Sequence, residues 1–346
     1  MDTIGVLAAG ASLALDVHGR THICYSRSLV LYPEVDFDLF YAYRDDNDWQ
    51  IVMVEAPEVI SDPAAIFAQS GQTSLVLDAN DSAHIGDVVD YNWDFGYPSD
   101  LKYAAQDDTG WTIELVDKFG SYPGGPGSFS MTLDKKGSPH VSTNESSQET
   151  SPEIIHLKYR YQDADDWYVQ TVDGGGGEVG YFASLASDSR GYPHISYYKQ
   201  DNQDLRYVYR GKEGRHIQVV ENEGDVGKWT SFALDDNQNP HMSYIKNVTC
   251  SYKDWIYVCV AYLKYAFHNS TGWQTQTLDR TYTYDGSVRM DTSLALDAEG
   301  YPHISYIGEA GELMVANMDA SSWVTQTVVI GESFIEGPSL ALDNGG

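Results

Sequence analysis

Apolar and polar residues alternate along this chain in short runs, and the same four runs return in the same order. The clearest first run is Ser293-Leu294-Ala295-Leu296-Asp297. After Gly300 and Pro302 comes the second, His303-Ile304-Ser305-Tyr306. Leu263-Lys264-Tyr265-Ala266 shows the third, and Trp273-Gln274-Thr275-Gln276-Thr277-Leu278 the fourth. Each run has a period of two or is rich in β-branched and aromatic residues, and each is bounded by Gly, Pro, Asn or Asp. That pattern predicts short antiparallel strands. No stretch sustains the period of a helix.

The first run starts at Ser12, Ser74, Ser130, Ser184, Ser231 and Ser293, and returns at Ser339. An Asp and a His six residues later recur with it: Asp16/His22, Asp78/His84, Asp134/His140, Asp188/His194, Asp235/His241 and Asp297/His303. Six of the ten histidines therefore share one repeat position, which excludes chance. The fourth run opens on Trp49, Trp111, Trp167, Trp273 and Trp323, with His216 in its place in the fourth unit. Asp-x-x-Gly-x-Pro between the first two runs is turn chemistry, in which the carboxylate caps the turn and Gly supplies a positive φ. Asp-to-Asp steps of 62, 56, 54, 47, 62 and 46 residues put the length variation in loops.

Four strands repeated at this spacing predict propeller blades. The expected fold is all-β, a β-propeller in one domain over residues 1–346. Its four-stranded units span about 11–72, 73–128, 129–182, 183–229, 230–291 and 292–338, and 339–346 form one extra inner strand. Residues 1–10 read as the end of an outer strand and its exit loop. An unmatched inner strand implies that the chain is a segment of a longer one, or that another molecule completes the blade.

On these repeats the chain resembles the β-propeller repeats of prokaryotic surface and secreted proteins, in the sialidase-like and BNR-like neighbourhood. The resemblance covers nearly the whole chain. The Ser-x-Asp-x-Gly-x-x-Trp box of sialidases is not present. The repeated Asp, His, Ser and Trp are also the residue types of the hydrogen-bond set that locks each blade of WD-type propellers, in a different order.

Charge narrows the partners. Against 21 Lys and Arg stand 51 Asp and Glu, a net charge of −30, which argues against nucleic acid. No run of apolar residues is long enough to span a membrane, and no export signal is visible. Cys250 and Cys259 flank an excursion in the fifth unit that a disulfide would staple, while Cys24 reads as a buried thiol. Sequons at Asn80, Asn144, Asn247 and Asn269 add to a picture of an exported glycoprotein. The expected location is extracellular or at a cell surface.

The repeated His sits just after the capped turn, which makes it a structural residue bonded to the turn Asp or to backbone. Function is sought where the units differ, because irregular loops carry binding. Between the second and third strands the loop is long in units one (25–38), two (86–100), three (142–156) and five (245–262). These loops share an end of the blade with the connectors that join one blade to the next. Tyr91, Trp93, Tyr97, Trp229, Tyr252, Trp255 and Tyr284 are the candidate glycan-binding residues there, since ring faces stack on sugar C–H groups while carboxylates take the hydroxyls. Asp36, Asp38, Asp90 and Asp94 are the calcium candidates, because hard carboxylate oxygens suit that ion, although no complete EF-hand loop is present.

No Gly-x-Ser-x-Gly, His-Glu-x-x-His, phosphate-binding loop or dinucleotide fingerprint occurs. Gly174 to Gly177 reads as a flexible inter-blade loop, and no catalytic residue is assigned. The leading expectation is a non-enzymatic surface interaction protein, acting in adhesion or in matrix or filament assembly by strand addition. Its partner would be itself or another surface protein. The alternatives are a lectin-like glycan-binding propeller and a glycoside hydrolase or polysaccharide lyase.

Overall fold

The computed structural model describes residues 5–31, 34–45, 48–60, 72–90, 99–119, 128–147, 154–164, 166–174, 177–253, 256–284, 291–308, 311–319, 322–329 and 337–343. The chain divides into two compact units, Met1–Gly176 and Gly177–Gly346, with the boundary in the glycine run. Each unit holds three four-stranded antiparallel blades, and the fold is a β-propeller of six such blades with no helix among the described residues.

In the first unit, blade one is β1 (Gly5–Leu15), β2 (Thr21–Leu31), β3 (Glu34–Arg44) and β4 (Trp49–Ile60). Blade two is β5 (Thr73–Leu77), β6 (Ala83–Asp90), β7 (Ser99–Asp107) and β8 (Gly110–Phe119). Blade three is β9 (Phe129–Leu133), β10 (Pro139–Ser147), β11 (Ile154–Asp163) and β12 (Asp166–Asp173). In the second unit, blade four is β13 (Val179–Ser187), β14 (Pro193–Lys199), β15 (Asp204–Gly211) and β16 (Gly214–Glu221). Blade five is β17 (Val226–Leu234), β18 (Pro240–Lys253), β19 (Ile256–Asn269) and β20 (Gly272–Tyr284). Blade six is β21 (Thr292–Leu296), β22 (Pro302–Ile307), β23 (Leu313–Asp319) and β24 (Ser322–Val329).

Two expectations are corrected. Residues 5–10 are not the end of another blade's outer strand but the first half of β1, paired to β2 from Gly5↔Val30 onward. The excursions of blades one and five are not loops but continuations of the ladder. In blade five β18 and β19 stay paired out to Lys253↔Ile256, with a register shift between Lys246 and Thr249, and β20 follows them to Val258↔Tyr284. Paired backbone explains this: an extension that carries its own ladder satisfies its N–H and C=O groups, which an irregular loop of that length would leave to water. Cys250 is disulfide-bonded and lies directly opposite Cys259 in this arm.

The turn end of every blade is built alike. Each repeat Asp accepts, at Oδ1, the backbone N–H four residues on: Arg20, Ser82, Ser138, Tyr192, Asn239 and Tyr301, at 2.7–2.9 Å. The residue three after the Asp is left-handed in all six, at Gly19, Asp81, Gly137, Gly191, Gln238 and Gly300. Behind the turn the repeat His presents Nε2 to the Asp Oδ2 at 3.3–3.9 Å. Its Nδ1 is held by the tyrosine of the third run. The Tyr41, Tyr103, Tyr207 and Tyr265 hydroxyls lie 2.5 Å from His22, His84, His194 and His241, and Tyr159 holds His140 in the same way. Nε2 facing a carboxylate makes that nitrogen the protonated one, so Nδ1 accepts from the phenol. Blade six has Val315 where the tyrosine would stand.

That tyrosine also joins the blades. Within the first unit, Tyr41 and Tyr103 meet Trp111 and Trp167 of the following blade edge-on at 5.3 and 5.6 Å. Within the second, Tyr207 and Tyr265 meet Trp273 and Trp323 at 5.4 and 5.1 Å. Three of these indole N–H groups then reach back to the preceding outer strand, Trp167 to Glu114, Trp273 to Gln218 and Trp323 to Gln276. The repeat's opening Ser is a second coupling. Ser12, Ser184 and Ser231 Oγ accept the backbone N–H of Leu75, Phe232 and Leu294 on the next first strand. Ser293 Oγ accepts from Leu340, which sets residues 337–343 against β21 as β21 is set against β17. Ser231→Ala strands the buried N–H of Leu294 and is expected to lower stability by about 1–2 kcal/mol, read as a shifted urea midpoint with an unchanged slope.

Candidate functional site

The connector end of the blades, opposite the capped turns, is where the repeats cease to match. The position two residues before the opening Ser carries the sharpest signal. In the first blade it is Gly10, with φ 62°, and before Ser339 it is Gly337, with φ 58°. This is a left-handed site at which glycine is the unstrained residue. Phe182 and Trp229 occupy the same position in blades four and five with φ 54° and 49°. A bulky side chain there costs roughly 1–3 kcal/mol each. The register shifts between Tyr181 and Ser184, and between Lys228 and Ser231, mark the β-bulges that turn these rings out of the ladder.

The two strained aromatics meet. Their ring centroids are 4.9 Å apart at 43°, and both rings are half-buried. Tyr198 lies 6.1 Å from Phe182, and Tyr181 lies 6.4 Å from it. Polar groups ring the platform. The Tyr198 hydroxyl donates to Asp225 Oδ1 at 2.8 Å, Lys228 Nζ reaches Asp225 Oδ2 at 2.7 Å, and the Tyr181 hydroxyl donates to Glu178 at 3.3 Å. Gly227 lets the backbone approach: its φ is 103°, and a Cβ there would sit 2.8 Å from Leu205 Cα. The turn after β14 is short, and its ends are fixed by Gln200 N–H to Glu178 O and Val226 N–H to Gln203 O. Both rings keep part of their surface exposed beside this turn, and the arm of blade five rises from the adjoining strand.

Of the candidate glycan residues, Trp229 is in this cluster. Tyr252 is 77% exposed near the tip of the arm, and Tyr284 ends β20. Tyr91, Trp93, Tyr97 and Trp255 lie outside the described residues. The sequence reading missed Phe182 and Tyr198. Aligning the repeats would have exposed Phe182, because it stands where the first and last copies have glycine. Among the calcium candidates, Asp38 is buried against Arg27, whose Nε lies 2.8 Å from its Oδ2. Asp36 lies in β3 and Asp90 ends β6, and Asp94 is outside the described residues. No cluster of three or more His, Cys, Asp or Glu suited to a metal occurs among the described residues. Of the sequons, Asn80 is exposed, Asn269 is half-buried at the end of β19, Asn247 lies in β18, and Asn144 is buried with its Oδ1 accepting Ser128 N–H at 2.8 Å.

Charges at this end are largely spent on one another. Glu221 accepts from Lys246 at 2.5 Å, from Lys264 at 2.6 and 2.7 Å, and from Tyr244. Burial pushes its carboxyl up, and those donors outweigh it and hold it low. Arg160 in blade three is buried between Asp117 and Glu145. In blade two Lys102 reaches Glu55 at 2.8 Å beside the fully buried Asp87. Burial, then the Glu55 carboxylate, raises Asp87 to about 7, against the opposing pull of Lys102.

Acid is expected to loosen the repeats. Burial holds His84, His140, His194 and His241 below the ordinary imidazole value, outweighing their Asp neighbours. The unfolded chain therefore binds protons first, and stability falls as pH drops through about 6.5 toward the folded values. Asp16 adds a second window. Burial raises it, but hydrogen bonds from Arg20, His18 and His22 hold it down to about 2, so its contribution is lost between about 4 and 2. Asp87 runs the other way, losing stability from about 4 up to 7. With four histidines against one such Asp, the midpoint in urea should be lower at pH 5 than at pH 7, and an equal or higher midpoint would count against neutral buried histidines holding the turns.

No family model matches the sequence, and no curated protein does. Among solved structures the chain is similar to a PL25 ulvan lyase with a bound saccharide, at 10% identity and a TM-score of 0.56 over 91% of this chain and 82% of that one. It is also similar to AofleA from Arthrobotrys oligospora, at 9% identity and a TM-score of 0.52 over 95% and 91%. A Hadza microbial sialidase matches at 10% identity and a TM-score of 0.50 over 92% and 65%. At such identities the likeness speaks for the β-propeller fold.

Proposed function

We propose that this chain is a glycan-binding propeller whose binding platform is the Phe182–Trp229 pair at the connector end of blades four and five. The observation that carries this reading is the placement of two bulky rings at a left-handed position where the same repeat uses Gly10 and Gly337. Trp229 packs in part against the core shared by blades five and six, and the strain is accepted in two neighbouring blades. The part of the pair left exposed offers a ring face to sugar C–H groups, with the Tyr181 hydroxyl and the Glu178 and Asp225 carboxylates around it for sugar hydroxyls. The neighbouring acids are engaged with Lys, Arg and Tyr donors, which favours binding over acid–base chemistry. The similar folds include proteins named as a polysaccharide lyase and a sialidase, which agrees with a sugar ligand.

A disulfide at Cys250 suits an oxidising compartment, so an extracellular or cell-surface setting belongs to the same reading. Adhesion would follow where the glycan is itself part of a surface. The test is retention on immobilised polysaccharides of the whole chain beside Trp229→Ala, with circular dichroism confirming that both are folded. Retention by the parent that the variant loses supports the reading. Equal retention, or retention by neither on a broad panel, overturns it.

A further inference from the structure

We infer that the platform takes an uncharged pyranose ring and discriminates against uronates and sialylated sugars. This rests on the glycan-binding reading above and adds the chemical class of the ligand.

Recognition of an anionic sugar needs a cation with an unspent charge, because a carboxylate stripped of water must find a donor of opposite sign. The platform's own ammonium, Lys228, is 2.7 Å from Asp225 Oδ2 and lies 5.4 Å from the Tyr198 ring, so its charge is already met on the protein side. Among the described residues, three further cations of blades four and five are also paired. Lys246 and Lys264 converge on Glu221, and Arg206 pairs with Asp204 at 3.1 Å. Lys199 is buried and lies opposite Asp204 in the ladder. An incoming carboxylate would have to break one of these pairs in a chain of net charge −30, whose field repels it before contact.

Neutral hydroxyls meet the opposite situation. Carboxylate oxygens keep acceptor capacity after one or two hydrogen bonds, so Glu178 and Asp225 can each take a sugar O–H without losing their present donors. The rings supply an apolar face for the axial C–H groups, whose burial needs no charge at all.

The experiment is titration calorimetry of the whole chain with matched pairs, a cello-oligosaccharide and its C6-oxidised uronate, and a β-galactoside with and without terminal sialic acid. A chitosan oligosaccharide serves as the cationic probe. All are run at low and at high salt, with Trp229→Ala alongside. The expected result is that a neutral member binds at least tenfold more tightly than its anionic partner, with an affinity that salt leaves unchanged and Trp229→Ala removes. Asp225→Asn, which frees the Lys228 charge, should raise the uronate affinity severalfold. Trp229-dependent binding that favours the uronate, the sialylated sugar or chitosan, and weakens with salt, overturns the inference and leaves the glycan-binding reading standing. No Trp229-dependent binding to any member overturns both.

Discussion

Trp229→Ala should weaken saccharide binding by about thirtyfold or more, the loss of roughly 2 kcal/mol typical of a central aromatic anchor. Because the Phe182 and Trp229 rings are 4.9 Å apart, the two positions should not behave independently. The double variant is expected to lose less than the sum of the single losses. A second pair of variants separates binding from stability. Alanine and glycine both remove the ring, but at φ 49° alanine keeps the Cβ that makes the left-handed conformation costly. Trp229→Gly should therefore be more stable than Trp229→Ala by about 1 kcal/mol, while both lose binding alike. Denaturant midpoints and calorimetry read the two quantities separately. Equal midpoints would show that the strain is not where the backbone places it.

Tyr265→Ala should be among the most damaging single changes in the chain, lowering stability by about 3–5 kcal/mol. Tyr265 is 2% exposed, meets Trp323 edge-on at 5.1 Å, lies 5.7 Å from Phe267, and holds His241 Nδ1 through its hydroxyl. Tyr265→Phe isolates the last of these. It keeps the ring and its packing but strands His241 Nδ1, which predicts a loss of about 1–2 kcal/mol. Burial drives the Tyr265 hydroxyl above its ordinary value, so it remains a donor throughout the working pH range. If the phenylalanine variant were as stable as the parent, the histidine–tyrosine bond would have no part in holding the blade.

Much of this architecture was legible in the chain because it is repeated. A Ser, an Asp, a His and a Trp that return in one order identify strands, turns and their sequence even where a single copy would be ambiguous. The turn chemistry read from Asp16 or Asp297 is what the hydrogen bonds show. Less legible was where ladders stop. Residues such as Tyr252 and Lys253 read as loop because their runs lack a buried partner, yet cross-strand pairing carries them out as an arm. Backbone pairing leaves no mark on a sequence unless a side-chain face is buried with it. The platform was half visible: Trp229 stood out as an aromatic in a connector. Phe182 did not, because its meaning lies in a backbone angle. That angle becomes readable only when Phe182 is set against Gly10 and Gly337.

The most direct test is saturation-transfer NMR with a neutral oligosaccharide, irradiating the aromatic protons of the whole chain. The account predicts strong transfer to the C–H protons on one face of a single pyranose ring, and its loss in Trp229→Ala. Transfer that persists undiminished in that variant, or absence of transfer from every saccharide offered, would contradict a glycan platform built on Phe182 and Trp229.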